Sequence, residues 1–371
     1  MDLPTGFPEQ LRGPMAWDAS DFSQNPAAYT LTLTESDLLA IEKAVNHFKG
    51  LGLPRGSVDR SNFPLPEDLT MKLRQINDTL NNGQGFQVVR GIDPTSYSEE
   101  EHILIFAGIC AHVATHRNWF IGRCGWRQLA PAGVASLHGM SRLEKAASTS
   151  TLMWTPGPIL ALFMEKKSKS GGNQHLSSFW TIYNSLARES PEVIRELASS
   201  WHWEMPDKEN LGGPNIVLPS RPIIGKADGR MQINFAKAYV AGDPKYPMNK
   251  GSPSLSPSQE AALKVLSDTA RKHSLQLDAK AGDLVLVNNL SIMHARDAFV
   301  DDVVSGEIRH VLRLWLQDQD SWPVASSLGY IEPKKAWHVP DKHQSLRTLS
   351  EWVQLPRPIR AVDAAASQKH A

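Results

Sequence analysis

The sequence predicts an α+β fold that is mainly β: a double-stranded β-helix of the jelly-roll or cupin-like kind, with supporting N-terminal helices. Three observations predict it. Helical periodicity opens the chain, short alternating or fully apolar segments between glycine turns fill most of the remainder, and one irregular stretch interrupts them. No internal repeat and no Pro- or Ser-rich linker divides the chain, so one domain over residues 31–358 is expected. An extended arm, residues 1–30, precedes it, and a flexible tail, residues 359–371, follows.

The elements follow in chain order. The arm is Pro-, Asp- and Ser-containing with little periodicity, and is expected to lie across the body of the fold. From Glu35, the spacing of Leu38, Leu39, Ile41, Ala44, Val45 and Phe48 predicts an amphipathic helix stopped by Gly50 and Gly52. A second helix is expected from Leu65 to Leu80, then a short strand in GQGFQVVRGIDP, then a helix from Ser98 to His112. The stretch from His116 to Ser150, with Trp119 and Trp126, is irregular. ILALFM reads as a strand, followed by a GG turn, a strand ending SSFWTIYN and a helix after Pro191. MQINFAKAYVAGD is strand-like, and SPSQEAALKVLSDTARKHS is a helix with serine or proline at its start. LQLDAKAGDLVLVNN reads as two strands around a Gly-Asp turn.

The element that organises the chain is the last strand pair, LVLVNNLSIMHARDAFVDDVVSGEIRHVLRLWL. It reads as a strand, a turn carrying His294, an acidic loop and a second strand. Side chains alternate on a strand, so Arg309, Val311, Arg313 and Trp315 point one way while His310, Leu312, Leu314 and Leu316 point the other. Two inward guanidinium groups are costly to bury unless each meets an anion, which suggests a pocket for a small carboxylate.

Composition bounds the partners. The chain has 371 residues, a formal net charge of zero and a 41% apolar share, enough for one large core. Balanced charge with no basic run argues against nucleic acid and for small molecules. Cys110 and Cys124 are the only cysteines, so neither a disulfide framework nor a zinc ribbon is expected. MDLPTGFPEQ lacks the charged and apolar regions of a signal peptide and no run is long enough to cross a membrane, so the cytoplasm is the expected location. A homo-oligomer is compatible with this composition.

The NNLSIMHARDAF and RHVLRLWL phrases, with R-x-x-x-R after the histidine, resemble the C-terminal signature of the TauD/TfdA-like branch of Fe(II)/2-oxoglutarate-dependent dioxygenases. The helix, GFQVVRG strand and helix near the front resemble its entry, and ILALFM with the GG turn resembles its middle. The resemblance implies the double-stranded β-helix, with His294 at the place of the distal iron ligand, Arg309 at that of the 2-oxoglutarate arginine and Arg313 as a nearby anion contact. Asn234, Phe235, Ala236 and Lys237 look like the family's NFAR-type pocket segment, with lysine where arginine is common.

At one place the chain departs from the pattern. Where relatives carry His-x-Asp before the ILAL-type strand, this chain reads Trp154, Thr155, Pro156, and neither indole nor proline offers a ferrous ion a lone pair. The expectation drawn is that no metal binds, that His294 is a vestigial ligand and that no cofactor is needed, with Fe(II) and 2-oxoglutarate as the alternative. On that expectation the protein is an iron-independent enzyme of specialised metabolism, catalysing an isomerisation, cyclisation, dehydration or hydrolysis on an organic acid. His294 is then its acid or base, oriented by Asp297 or His175, and Arg309, Arg313, Asn234, Lys237 and Trp154 line the pocket. Two other readings stand beside it: an oxygenase with an atypical ligand set, and a non-catalytic partner subunit with Trp119 and Trp126 at an interface. Among other donors, His112 with His116, His202 with Glu204, and His138 are read as structural.

Overall fold

A computed structural model describes residues 2–118, 157–205, 213–243, 247–302 and 305–329. Three helices come first: α1 (Glu35–Gly50), α2 (Glu67–Asn82) and α3 (Glu99–Val113). Thr34 and Asp37 close a capping box on α1, and Ser98 and Glu101 do so on α3, which fixes where each begins. These helices cover one face of a six-stranded sheet. Its order is β1 (Thr30–Thr32), β2 (Phe86–Arg90), β12 (Leu284–Asn288), β4 (Ile159–Lys166), β15 (His310–Gln317) and β3 (His116–Asn118), antiparallel except between β1 and β2.

Strand alternation sorts the sheet's side chains into two cores. Ile159, Ala161, Phe163, Leu284, Leu286, Leu312, Leu314 and Leu316 pack against α1, α2 and α3. Phe86, Val88, Leu160, Val285, Val287 and Trp315 face the other way, into the barrel. Opposite lies a three-stranded sheet, β11 (Leu275–Gln276), β6 (Gln174–Ser178) and β13 (Ile292–Arg296), with three two-stranded pairs around it. These are β5 (Ser170–Gly171) with β14 (Phe299–Val300), β7 (Trp201–Met205) with β8 (Ile216–Arg221), and β9 (Ile224–Ala227) with β10 (Arg230–Ile233). Four further helices complete the described chain: α4 (Phe179–Glu189), α5 (Pro191–Leu197), α6 (Lys237–Ala241) and α7 (Pro257–Lys272).

The arm is threaded into the inner core. Leu11, Met15 and Trp17 are buried there, Asn184 on α4 exchanges hydrogen bonds with Leu11 in both directions, and the Tyr183 hydroxyl donates to the Pro8 carbonyl. Trp17 Nε1 donates to the Gln84 carbonyl, tying the arm to the turn before β2.

Three local expectations change. SSFWTIYN is not all strand: β6 ends at Ser178, whose hydroxyl caps α4 through the Thr181 amide, and Phe179, Ile182, Tyr183 and Leu186 then bury one helix face. β11 and β12 do not form a hairpin, because β12 is already paired on both edges, with β2 and β4, while β11 pairs with β6. NFAKAYVAGD leaves the strand after Ile233 and turns into α6.

Candidate active site

His294 lies within β13, not in a turn, opposite Leu176 of β6. Its side chain keeps some exposed surface, yet ring atom Nδ1 is buried and has no hydrogen-bond partner among the described residues. Burial and the nearby Arg313 charge push its pKa down to about 4, against the opposing effect of the Ile292 carbonyl. The ring is therefore neutral at physiological pH, with a lone pair available at one nitrogen.

Arg309 and Arg313 are both buried, at 5% and 7% exposure. Arg313 stacks beside Trp315, with its guanidinium carbon 5.2 Å from the ring centre. Arg309 donates its backbone N–H to Asp301 at 2.8 Å and holds its guanidinium 5.7 Å from the ring centre of Phe299. The GG turn makes room for this. At Gly172, φ is +75° and a Cβ would stand 3.3 Å from Arg309 Cδ and 3.3 Å from Phe299 Cβ.

The other expected site residues are placed as follows. Asp297 does not touch His294; it accepts from His175 Nε2 at 3.0 Å and from Asn173 Nδ2 at 3.1 Å. The reason is alternation: His294 pairs with Leu176, whereas His175 pairs with Ala295 on the opposite face. The orienting role expected of His175 and Asp297 thus has no contact behind it. Asn234 is buried after β10, where the Ile233 amide bonds the Leu290 carbonyl just ahead of β13. Lys237 is exposed at the start of α6, on a cavity of about 660 Å³ whose lining includes Glu260 and Arg271 but not His294, Arg309 or Arg313. Trp154, together with Thr155, Pro156, Trp119, Trp126 and His138, falls outside the described residues.

Among the described residues, His112, His202 and His273 are held in structural hydrogen bonds. His112 Nε2 donates to the Phe63 carbonyl at 2.8 Å, and α3 ends at Val113, so His116 never comes to helical spacing with it. Glu204 is buried and accepts from His202, Asn215, Ser252 and the Asn249 amide, which uses up its oxygens. Ser185, His273 and Asp18 form a hydrogen-bonded chain that looks like a hydrolase triad. Ser185 is only 5% exposed in the middle of α4, however, so the chain ties the arm to α4 and α7 and offers no accessible nucleophile.

A buried cluster on the helix side of the sheet went unread in the sequence. Glu165 of β4 accepts from His102 of α3 at 2.9 Å and from His310 of β15. The available signal was a carboxylate in the apolar run ILALFMEK, on the parity of Phe163. Burial would raise the Glu165 pKa, but the two imidazoles outweigh it and hold it down to about 2. Burial opposes the charge on His102 too, but hydrogen bonds to Glu165 and to the Pro94 carbonyl win and raise its pKa.

These shifts fix a pH window. Glu165 stabilises fully above its ordinary 4.5 and loses that contribution as pH falls toward about 2. His102 stabilises fully below its ordinary 6.5 and loses it as pH rises through the elevated folded value. The gap in urea midpoint between wild type and Glu165→Gln is therefore expected to be widest between about pH 4.5 and 6.5 and to narrow on both sides. A gap that does not vary with pH would contradict the assignment.

Residues 48–315 match the family described as taurine catabolism dioxygenase TauD, TfdA family. The chain belongs to this family. It is 30% identical over 333 residues to the taurine hydroxylase-like protein SAT17 of Stachybotrys chartarum, covering 86% of this chain and 83% of that protein. It is 23% identical over 332 residues to FR-33289 synthase of Streptomyces rubellomurinus, covering 86% and 94%. Two solved structures share the fold. An asparagine oxygenase in complex with Fe(II), 2S,3S-3-hydroxyasparagine and succinate superposes with a TM-score of 0.56 at 13% identity, over 78% of this chain and 93% of that one. The non-heme iron oxygenase OrfP in complex with Fe, succinate and (3S)-hydroxy-L-Arg gives 0.52 at 13%, over 78% and 94%. The jelly roll of these TauD/TfdA-like neighbours is the architecture described above.

Family membership corrects one expectation. The TauD/TfdA chain was expected to need no cofactor, on the strength of Trp154, Thr155 and Pro156. It belongs to a dioxygenase family, and its structural neighbours were solved with iron and succinate, so the expectation of no cofactor does not stand.

The described residues fit such a group in part. His294 supplies one neutral, unpartnered nitrogen, and Arg309 and Arg313 supply buried cations suited to a dicarboxylate. Among the described residues no three His, Cys, Asp or Glu side chains cluster to hold a metal ion. A three-ligand site therefore needs donors from outside them.

Proposed function

We propose that this protein is a Fe(II)/2-oxoglutarate-dependent oxygenase of specialised metabolism that acts on a small organic molecule through an atypical ligand set. The observation that carries this reading is the buried Nδ1 of the neutral His294 ring, which has no hydrogen-bond partner among the described residues, beside Arg313. A structural histidine in such a place would be hydrogen-bonded, as His102 and His112 are. When bound, ferrous iron supplies redox chemistry with dioxygen, coupled to conversion of 2-oxoglutarate to succinate.

Each residue has a part in this reading. His294 offers a lone pair without first having to lose a proton. Arg309 pairs with the far carboxylate of 2-oxoglutarate through its planar fork, and burial, reinforced by the Arg313 charge, keeps His294 unprotonated. His138 is a further donor by residue type, upstream of Trp154 in the sequence.

The test is anaerobic loading with Fe(II), metal analysis after desalting, and assay of succinate from 2-oxoglutarate. One equivalent of iron and succinate formation are expected in wild type, with both lost in His294→Ala and the metal lost in His138→Ala. Protein that retains no iron and forms no succinate overturns the reading.

A further inference from the structure

The strand end next to Arg309 is held from the far side of the sheet. β4 and β15 run in regular antiparallel register from Ile159 to Met164, but His310 then pairs with Lys166 while Val311 pairs with Met164. Glu165 is skipped. It is the extra residue of a β-bulge, a device that bends a strand and redirects the side chains beside it.

The skipped carboxylate, 3% exposed, points toward α3 and is fully engaged. Its Oε1 accepts from His102 Nδ1 at 2.9 Å and its Oε2 accepts from His310 Nδ1. His102 Nε2 in turn donates to the Pro94 carbonyl at 2.8 Å. Both nitrogens of His102 face groups that can only accept, so the ring carries two protons and is the counter-ion of Glu165. A buried carboxylate between two imidazoles thus links a helix, the bulge in β4 and the first residue of β15.

That first residue follows Arg309 directly. Neighbouring side chains on a strand leave on opposite faces, so holding the His310 ring on the helix side fixes the direction in which Arg309 leaves on the barrel side. On its other flank, Arg309 is held by its own amide to Asp301 and by the shallow cradle at Gly172. Burial alone does not explain the cluster, since apolar residues of similar volume commonly replace buried ion clusters without loss of stability. Its place at a bulge, one residue from the arginine, supplies the explanation.

We propose that Glu165 is a positioning residue for Arg309: clamping His310 and neutralised by His102, it sets the aim of the guanidinium that receives the co-substrate carboxylate. This rests on the reading of Arg309 given above. The clamp acts on the grip of the dicarboxylate and leaves the redox chemistry untouched.

The experiment follows 2-oxoglutarate binding by calorimetry alongside KM and kcat for succinate formation. Glu165→Gln is expected to raise both Kd and KM for 2-oxoglutarate by about tenfold or more, with kcat within about a factor of two, the signature of lost ground-state binding. His310→Leu removes the clamp without touching Glu165 and should reproduce the effect. His310→Gln keeps a donor of similar reach and should restore most of the affinity, which a general loss of packing would not allow. Unchanged 2-oxoglutarate affinity in Glu165→Gln or in His310→Leu, with wild type binding normally, overturns the clamp alone. Wild-type protein that does not bind 2-oxoglutarate overturns the functional reading beneath it. If Glu165→Gln does not fold, the His310 pair decides the matter.

Discussion

Replacing Arg309 by alanine is expected to raise the KM for 2-oxoglutarate by about a hundredfold, since truncating one partner of a buried, hydrogen-bonded charge pair costs about 2–5 kcal/mol. The side chain is 5% exposed, its stem rests against Gly172 and its head lies by Phe299, so bulk water cannot replace the missing guanidinium. Arg309→Lys should recover only part of the loss. An ammonium group keeps the charge but not the two parallel donors that match a carboxylate. Steady-state assay of succinate across 2-oxoglutarate concentrations checks both variants. A KM unchanged in Arg309→Ala would mean that the carboxylate is gripped elsewhere, with Arg313 the next residue to substitute.

The second large effect is expected at the neighbouring glycine turn. Gly171 has φ +72°, and a Cβ there would drive into the carbonyl oxygen of Ala298, a backbone atom that cannot rotate aside. The pairing of β5 with β14 places Gly171 opposite Phe299, so relief would have to come from parting the two strands. Gly171→Ala is expected to cost about 3 kcal/mol or more, combining the left-handed conformation with the contact. Gly172→Ala should behave differently. Its nearest neighbours are the Ser168 hydroxyl, Arg309 Cδ and Phe299 Cβ, side-chain atoms that can yield, so stability falls less and 2-oxoglutarate affinity falls instead. Urea midpoints for the pair, set beside their KM values, separate the two effects. Equal stability loss in both would show that the turn acts as a spacer with no bearing on the arginine.

Local signals predicted the local features well. Apolar spacing placed α1, serine or proline at its start placed α7, and period-two alternation placed Arg313 and Trp315 on one face of β15 and the leucines on the other. What failed required knowledge of partners distant in sequence. The run LQLDAKAGDLVLVNN has hairpin chemistry, but β2 and β4 claim β12 from both sides. FWTIYN has good strand propensity, yet its apolar residues also fall three and four apart, and the Ser178 cap decides for helix. Asp297 lies near His294 in sequence, and one residue of parity turns it away.

The site was half legible. His294 and the arginines follow from a local phrase. The clamp on His310 joins residues from α3, β4 and β15, whose sequence separations of 63 and 145 positions hide it from any local pattern. The cofactor expectation failed at Trp154, Thr155 and Pro156: the loss of donors at that one place was taken to end metal binding, whereas facial sites are assembled in space from separate segments.

The arm described at the start of the fold also bears on biosynthesis. Leu11 meets Asn184 across 173 positions, Thr181 holds the Trp17 carbonyl across 164, and Ser291 reaches Met15 across 276. The arm leaves the ribosome well before the residues it packs against, and it must wait for the intervening polypeptide to emerge. Closing loops of that size is slow, so the apolar side chains of the arm stay uncovered through much of synthesis. Removing the arm would strip away part of the interior itself, since Leu11, Met15 and Trp17 belong to the inner core.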